Sequence, residues 1–215
     1  DFNGDGFLDI IVSDWGTSAQ MRYFRNNGDG SFTDVTEHAG VGDDRWGASA
    51  AFTDYDNDGL ADLFVTNYQW ETDNLYRNLG DMRFEDVTER AGIVADDRLG
   101  LSASFGDIDN DGDQDIVAVA WLPVSNEGPT ARRDTPHFDL YNARDLLRLS
   151  SIIWLEQTAP LVFEYHTIEK IYGDHVTVDV ADYDGDGDLD LVASFGTAPA
   201  PPHLHSSIPP HRRAE

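Results

Sequence analysis

Carboxylates crowd this sequence at a fixed spacing. The pattern Asp-x-Asp/Asn-x-Asp-Gly-x-x-Asp occurs four times, at residues 1–9, 54–62, 107–115 and 182–190, and a short apolar run follows each copy. Side-chain oxygens stand at its first, third and fifth positions: Asp1, Asn3 and Asp5; Asp54, Asp56 and Asp58; Asp107, Asp109 and Asp111; Asp182, Asp184 and Asp186. So many carboxylates within nine residues repel one another unless a cation sits among them. Oxygen donors at positions one, three and five, with Gly at position six for a sharp turn, are what a hard ion such as Ca²⁺ requires. The chemistry to expect is metal coordination, with up to four Ca²⁺ ions, one per loop.

The loops recur because a larger unit recurs. Their first residues are 1, 54, 107 and 182, so the intervals are 53, 53 and 75. Residues 27–41 (NGDGSFTDVTEHAGV) align with 79–93 (LGDMRFEDVTERAGI), and 46–52 with 99–105. Each unit reads as four short strands separated by Gly, Asn and Asp turns. The first precedes the loop (48–52, 102–105, 176–180). The second follows it (10–12, 63–66, 116–120, 191–193). The third is 21–25, 74–77 or 152–155, and the fourth 31–35, 83–87 or 162–166. Four strands per unit, repeated along the chain, is the signature of propeller blades in an all-β fold.

The EF-hand is the main rival for such a loop. It needs Glu at position twelve and a helix on each side. Position twelve here is Val12, Val65, Ala118 or Ala193, the flanks are β-branched, and the further acid stands at position nine instead: Asp9, Asp62, Asp115 and Asp190. An EF-hand is therefore excluded.

With those motifs in view, the chain resembles the FG-GAP/VCBS family of β-propeller repeats, related to the integrin α-subunit propeller. The stretches 27–36 (NGDGSFTDVT) and 52–67 (FTDYDNDGLADLFVTN) are similar to its bacterial branch. The resemblance covers residues 1–196. It implies a calcium ion in the hairpin between the first two strands of each blade, held by the side chains at positions one, three, five and nine and by the backbone carbonyl at seven. Those seventh residues are Phe7, Leu60, Asp113 and Asp188. Asn3 supplies a neutral oxygen where the other loops have Asp. The family's Phe-Gly signature is degenerate here, as Trp46-Gly47 and Leu99-Gly100 show. Propellers of this family have about seven blades, so about three to four blades make a partial propeller that cannot close the ring alone.

The far ends of the second strands form a second region of interest. Six residues beyond the ninth-position Asp, about 20 Å along an extended strand, stand Trp15, Tyr68, Trp121 and Gly196. Two readings are open for the three aromatics: packing between neighbouring blades, or a rim that stacks sugars or a partner. The longer interval has its excess in residues 122–151, expected on the face opposite the calcium loops, where residues 13–20 suffice in the first unit. This insertion carries Arg132, Arg133, Arg144 and Arg148, four of the chain's 14 Lys and Arg residues. Residues 142–149 could form about two helical turns with Asn142 as N-cap. Long loops of this kind are functional or disordered, and a ligand-binding role, a packing flap and disorder all remain open. The tail 197–215, rich in Pro and His, reads as an extended linker. His203, His205 and His211 offer a transition-metal alternative there.

Composition narrows the partners. Among 215 residues there are 41 Asp and Glu against 14 Lys and Arg, a net charge of −27, much of it in the four loops. Phosphate recognition needs a basic face, so nucleic acid is not an expected partner. With no Cys, thiolate metal sites and disulfides are excluded. No apolar run approaches the roughly 20 residues of a membrane helix. The chain begins on Asp1, inside a repeat, and reads as a fragment or processed product. No H-E-x-x-H, G-x-S-x-G, P-loop or dinucleotide fingerprint is present. The expectation is a non-enzymatic, calcium-stabilised binding or assembly module, extracellular, cell-surface or periplasmic. Its partners would be further blades, a neighbouring chain, or a protein or glycan ligand. The alternative is a scaffold for a secreted enzyme whose active site lies elsewhere.

Overall fold

A computed structural model describes residues 1–13, 21–42, 45–68, 71–93, 99–121, 150–170 and 175–195. These fold as thirteen strands in four antiparallel sheets that follow one another in chain order. The first holds β1 (Ile10–Val12), β2 (Arg22–Asn26) and β3 (Phe32–Asp34). The second holds β4 (Gly47–Thr53), β5 (Asp62–Asn67), β6 (Asn74–Asn78) and β7 (Phe84–Asp86). The third holds β8 (Leu99–Gly106), β9 (Asp115–Trp121), β10 (Ser150–Ala159) and β11 (Val162–Lys170), and the fourth is the hairpin β12 (His175–Ala181) and β13 (Asp190–Phe195). Strands neighbouring in sequence neighbour in each sheet, so every sheet is a meander.

One helical turn, α1 (Thr36–Ala39), follows β3. Its cause is local. Asp34 Oδ1 accepts the N–H of Thr36 at 3.1 Å, as Asp86 Oδ1 accepts that of Thr88 at 3.0 Å in the second unit. Gly40 closes the turn with φ of 72° and Gly92 does the same at 78°, a left-handed backbone that glycine adopts without penalty. Between them Ala39 and Val41, or Ala91 and Ile93, turn inward and are buried. The repeat seen in residues 27–41 and 79–93 is thus a shared way of folding a sheet's last corner under its core.

Alternation along the second strand of each unit decides how the sheets stack. Residues at even and odd places point to opposite faces. Leu63 and Val65 pack with Phe2, Met21 and Tyr23 of the first unit. Phe64, between them, packs with Ile116, Ala118 and Phe163 of the third. Val117 and Val119 then meet Val178, Val180 and Leu191 of the fourth. Each core is shared by two consecutive sheets. At the two ends this leaves opposite faces open: Ile10 (43% exposed) and Val12 (45%), at positions ten and twelve of the first unit, and Val192 (44%), at position eleven of the last.

The third sheet differs from the expectation. Its outer strands were expected at 152–155 and 162–166, but β10 and β11 run over 150–159 and 162–170. The polar stretch Glu156-Gln157-Thr158 resembles a turn in sequence. It stays extended because Glu156 pairs across to Glu164 and Gln157 to Phe163, and the reversal comes at Leu161, with φ of 60°.

Candidate metal centre

The four acidic loops share one architecture, built by carboxylates that organise their own backbone. In each, the fifth-position Asp accepts the N–H two residues on: Asp5 from Phe7 (2.9 Å), Asp58 from Leu60 (3.0 Å), Asp111 from Asp113 (2.9 Å) and Asp186 from Asp188 (3.0 Å). The first-position Asp accepts the N–H of the sixth-position Gly: Asp1 from Gly6 and Asp54 from Gly59 at 2.8 Å, Asp107 from Gly112 and Asp182 from Gly187 at 3.1 Å. These bonds need a backbone curled by left-handed residues. Position six supplies one in every loop (Gly6 88°, Gly59 89°, Gly112 100°, Gly187 98°), and position four supplies a second through Gly4, Asn57, Asn110 and Gly185. Gly adopts that conformation without penalty and Asn more readily than most other residues. The fourth position is a determinant that the sequence displayed and the reading of the motif overlooked.

The carboxylates converge. Donor atoms of Asp54, Asp56 and Asp58 lie within 4.8 Å of one another, and so do those of Asp107, Asp109 and Asp111, and of Asp182, Asp184 and Asp190. In loop one, Asn3 Oδ1 accepts the Asp5 N–H at 3.2 Å while its Nδ2 donates to Asp5 Oδ2 at 2.8 Å. Two oxygens in the set, Asp56 Oδ1 and Asp107 Oδ1, are buried and accept no hydrogen bond. Buried carboxylate oxygens are costly to leave unpaired. Burial, followed by the charge of Asp111, holds Asp109 above the usual carboxylate range. Oxygen donors only, crowded, partly buried and incompletely satisfied, fit a hard divalent cation. Asp1, Asn3, Asp5 and their counterparts would hold Ca²⁺, which would supply charge neutralisation and a cross-link within the loop.

The ninth-position Asp has a further task. Its Oδ2 accepts the N–H of the second loop residue in all four units: Phe2 to Asp9 (2.9 Å), Tyr55 to Asp62, Ile108 to Asp115 and Tyr183 to Asp190 (3.1 Å each). In the first three units its Oδ1 accepts an N–H from the third strand: Asn26 to Asp9 (2.9 Å), Asn78 to Asp62 and Gln157 to Asp115 (2.7 Å each). One side chain thus ties the start of the loop to the neighbouring strand. Burial pushes Asp62 and Asp115 up to about 7, against the lowering effect of these N–H donors. The second loop residue is itself a plug: Tyr55 is 0% exposed, whereas Tyr183, whose sheet has two strands, is 54% exposed.

A fourth convergent set lies beside loop three. Glu156 and Glu164 face each other across β10 and β11, and His166 Nε2 is 2.5 Å from Glu156 Oε2; the three donors lie within 4.8 Å. The Trp154 ring lies against His166, with centroids 4.7 Å apart. This cluster is not visible in the sequence, because it depends on the register of two strands that run further than their residues suggest.

The sequence profile of the FG-GAP-like repeat matches residues 1–65 and again 54–118. The chain belongs to the FG-GAP-like repeat family. Each match begins on a first-position Asp and runs past the next, so this FG-GAP-like chain repeats with the period of its acidic loops. Among curated proteins it is similar to cartilage acidic protein 1 of Xenopus tropicalis (28% identical over 186 residues), of Homo sapiens (29%) and of Mus musculus (28%). Each alignment covers 83% of this chain and 25% of the relative, so the chain spans about a quarter of the length of the curated relatives it matches. Among solved structures, an Agrocybe aegerita lectin, described for its specific recognition of non-reducing terminal N-acetylglucosamine, aligns with a TM-score of 0.46 and 20% identity over 90% of this chain and 44% of that one.

The opposite ends of the second strands are described in part. Tyr68 directly follows β5 and its N–H donates to the Trp46 carbonyl at 2.7 Å; Trp121 ends β9 opposite Leu99, the corresponding place. Trp15, Arg132, Arg133, Arg144, Arg148, the expected helical turns at 142–149 and the tail 197–215 lie outside the described residues. Among the described residues, no helix is long and apolar enough to cross a membrane.

Proposed function

We propose that this chain is part of a calcium-stabilised propeller that works as a binding and assembly module outside the cytosol. The observation that carries the reading is the shared curl of four loops, three of which bring carboxylate oxygens within 4.8 Å of one another, with a buried oxygen lacking a hydrogen-bond partner in two of them. Resting cytosolic calcium is too low to fill sites of sensor strength, whereas extracellular calcium fills even weak modules. Its relatives are named for cartilage and for acidity, and a net charge of −27 fits the second word. The first word supports the extracellular reading.

The assembly part rests on the ends of the stack. Positions that form shared cores in the interior, ten and twelve on one face and eleven on the other, stand open as Ile10, Val12 and Val192. Further blades, from the same protein or a neighbouring chain, would cover them and shield the unpaired edges of the end sheets. The aromatics at 15, 68 and 121 and the arginines of the insertion are the proposed face for a protein or glycan ligand. With oxygen sites committed to structural metal, binding is favoured over catalysis.

Calcium removal tests this function. An ion present at 100 times its Kd stabilises by about 2.7 kcal/mol per site. For a domain of this size that corresponds to about 5–10 °C in Tm for each occupied site. Melting in millimolar calcium against EDTA should therefore show a large drop. Superimposable curves after verified metal removal would overturn the proposal.

A further inference from the structure

The third strand of each of the first three units presents one residue to its acidic loop, and the charge of that residue changes sign along the chain. The position is defined by hydrogen bonding. The N–H that reaches the ninth-position Asp belongs to Asn26, Asn78 and Gln157. The residue just before each of these is Arg25, Arg77 and Glu156.

In loop two the consequence is direct. Arg77 Nε lies 2.6 Å from Asp56 Oδ2, and its terminal nitrogen donates to Asp58 Oδ2 at 3.0 Å. These are the third- and fifth-position carboxylates that would hold the ion. A guanidinium keeps its charge at every relevant pH, so it stands as a permanent internal counter-cation. A divalent ion entering the loop must displace it or share its acceptors, and gains less because the charge it would neutralise is already partly neutralised. Loop one follows the same pattern, with the positive charge of Arg25 felt at Asp5.

Loop three is the reverse. Glu156 occupies the equivalent place, and its negative charge is felt at the third-position Asp109. Its carboxylate is steered by the contact with His166 and stands opposite Glu164. Like charges paired directly across a sheet are unfavourable, and a cation in the adjoining loop relieves them.

We propose that this third-strand residue sets the cation affinity of each loop, so that loop three, beside Glu156, binds calcium more tightly than loop two, beside Arg77. The inference rests on the calcium reading above and adds an order of filling to it. As free calcium falls, the second loop empties first and the third last.

The test is a calcium titration of the full chain, followed through the backbone amide resonances of Gly59 and Gly112, the sixth residues of the two loops. In the unmodified chain Gly112 should respond at a calcium concentration at least tenfold lower than Gly59. Arg77→Gln should tighten loop two at least threefold and leave loop three unchanged. Glu156→Gln should weaken loop three alone. The double exchange Arg77→Glu with Glu156→Arg should reverse the order. Equal midpoints in the unmodified chain, Gly59 responding first, or an order that survives all these changes would overturn the inference while leaving calcium binding intact. If neither glycine responds at millimolar calcium, the calcium reading itself fails. The two single Gln variants remove a charge from partly exposed side chains, 34% for Arg77 and 21% for Glu156, so the test does not depend on the double exchange folding.

Discussion

Asp62→Ala is expected to destabilise the chain by about 2–4 kcal/mol, although it deletes a carboxylate that burial disfavours. The side chain accepts two buried N–H groups, from Tyr55 and Asn78. Each donor left unsatisfied costs about 1–3 kcal/mol. Burial holds the Asp62 carboxyl up at about 7, and removing this disfavoured charge offsets part of the loss. Asp62→Asn keeps one acceptor oxygen and should lose roughly half as much. Urea denaturation in EDTA isolates this role from any metal. A loss under about 0.5 kcal/mol for Asp62→Ala would mean that the loop and the third strand hold together without the ninth-position carboxylate.

Phe64→Ala carries a comparable expected loss, about 3–5 kcal/mol, from a different cause. Its ring is fully buried, meets Phe105 edge-on with centroids 6.4 Å apart, and fills the core between the second and third sheets. Truncation leaves a cavity that two rigid sheets cannot close. Val192 occupies the matching place on the last sheet but is exposed. Val192→Ala in the 215-residue chain should therefore stay within about 0.5 kcal/mol of the parent in denaturant midpoint. If it cost as much as Phe64→Ala, the open face would already be covered, by a second copy of the chain.

How much of this was legible in the sequence follows from the range of the forces involved. The loops were legible because every determinant lies within nine residues: carboxylates at odd positions and glycine at the sixth. The second strands were legible to within two residues at either end, since β-branched runs that follow an acidic turn have local causes. The fourth-position turn residues Gly4, Asn57, Asn110 and Gly185 carried a signal of the same local kind. The double role of Asp9, Asp62 and Asp115 did not, because half of each role is a bond to a strand at least 16 residues away in sequence. The extent of β10 was hidden for a related reason. Glu156 and Gln157 are poor strand residues on their own, and they are held extended by Glu164, Phe163 and Asp115. Which neighbour Leu63 and Phe64 face was fixed in principle by alternation, but only the stacking of the sheets gives the alternation a direction.

Each of the four acidic loops is proposed to hold one ion, and the most direct measurement counts the ions. Native mass spectrometry or equilibrium dialysis of the full chain at millimolar free calcium should give four Ca²⁺ per chain, one for each loop. Asp58→Ala and Asp111→Ala should each bring that count down by one, and together by two. A chain that binds no calcium under these conditions, or whose count is unmoved when Asp58 and Asp111 are both replaced, would contradict it.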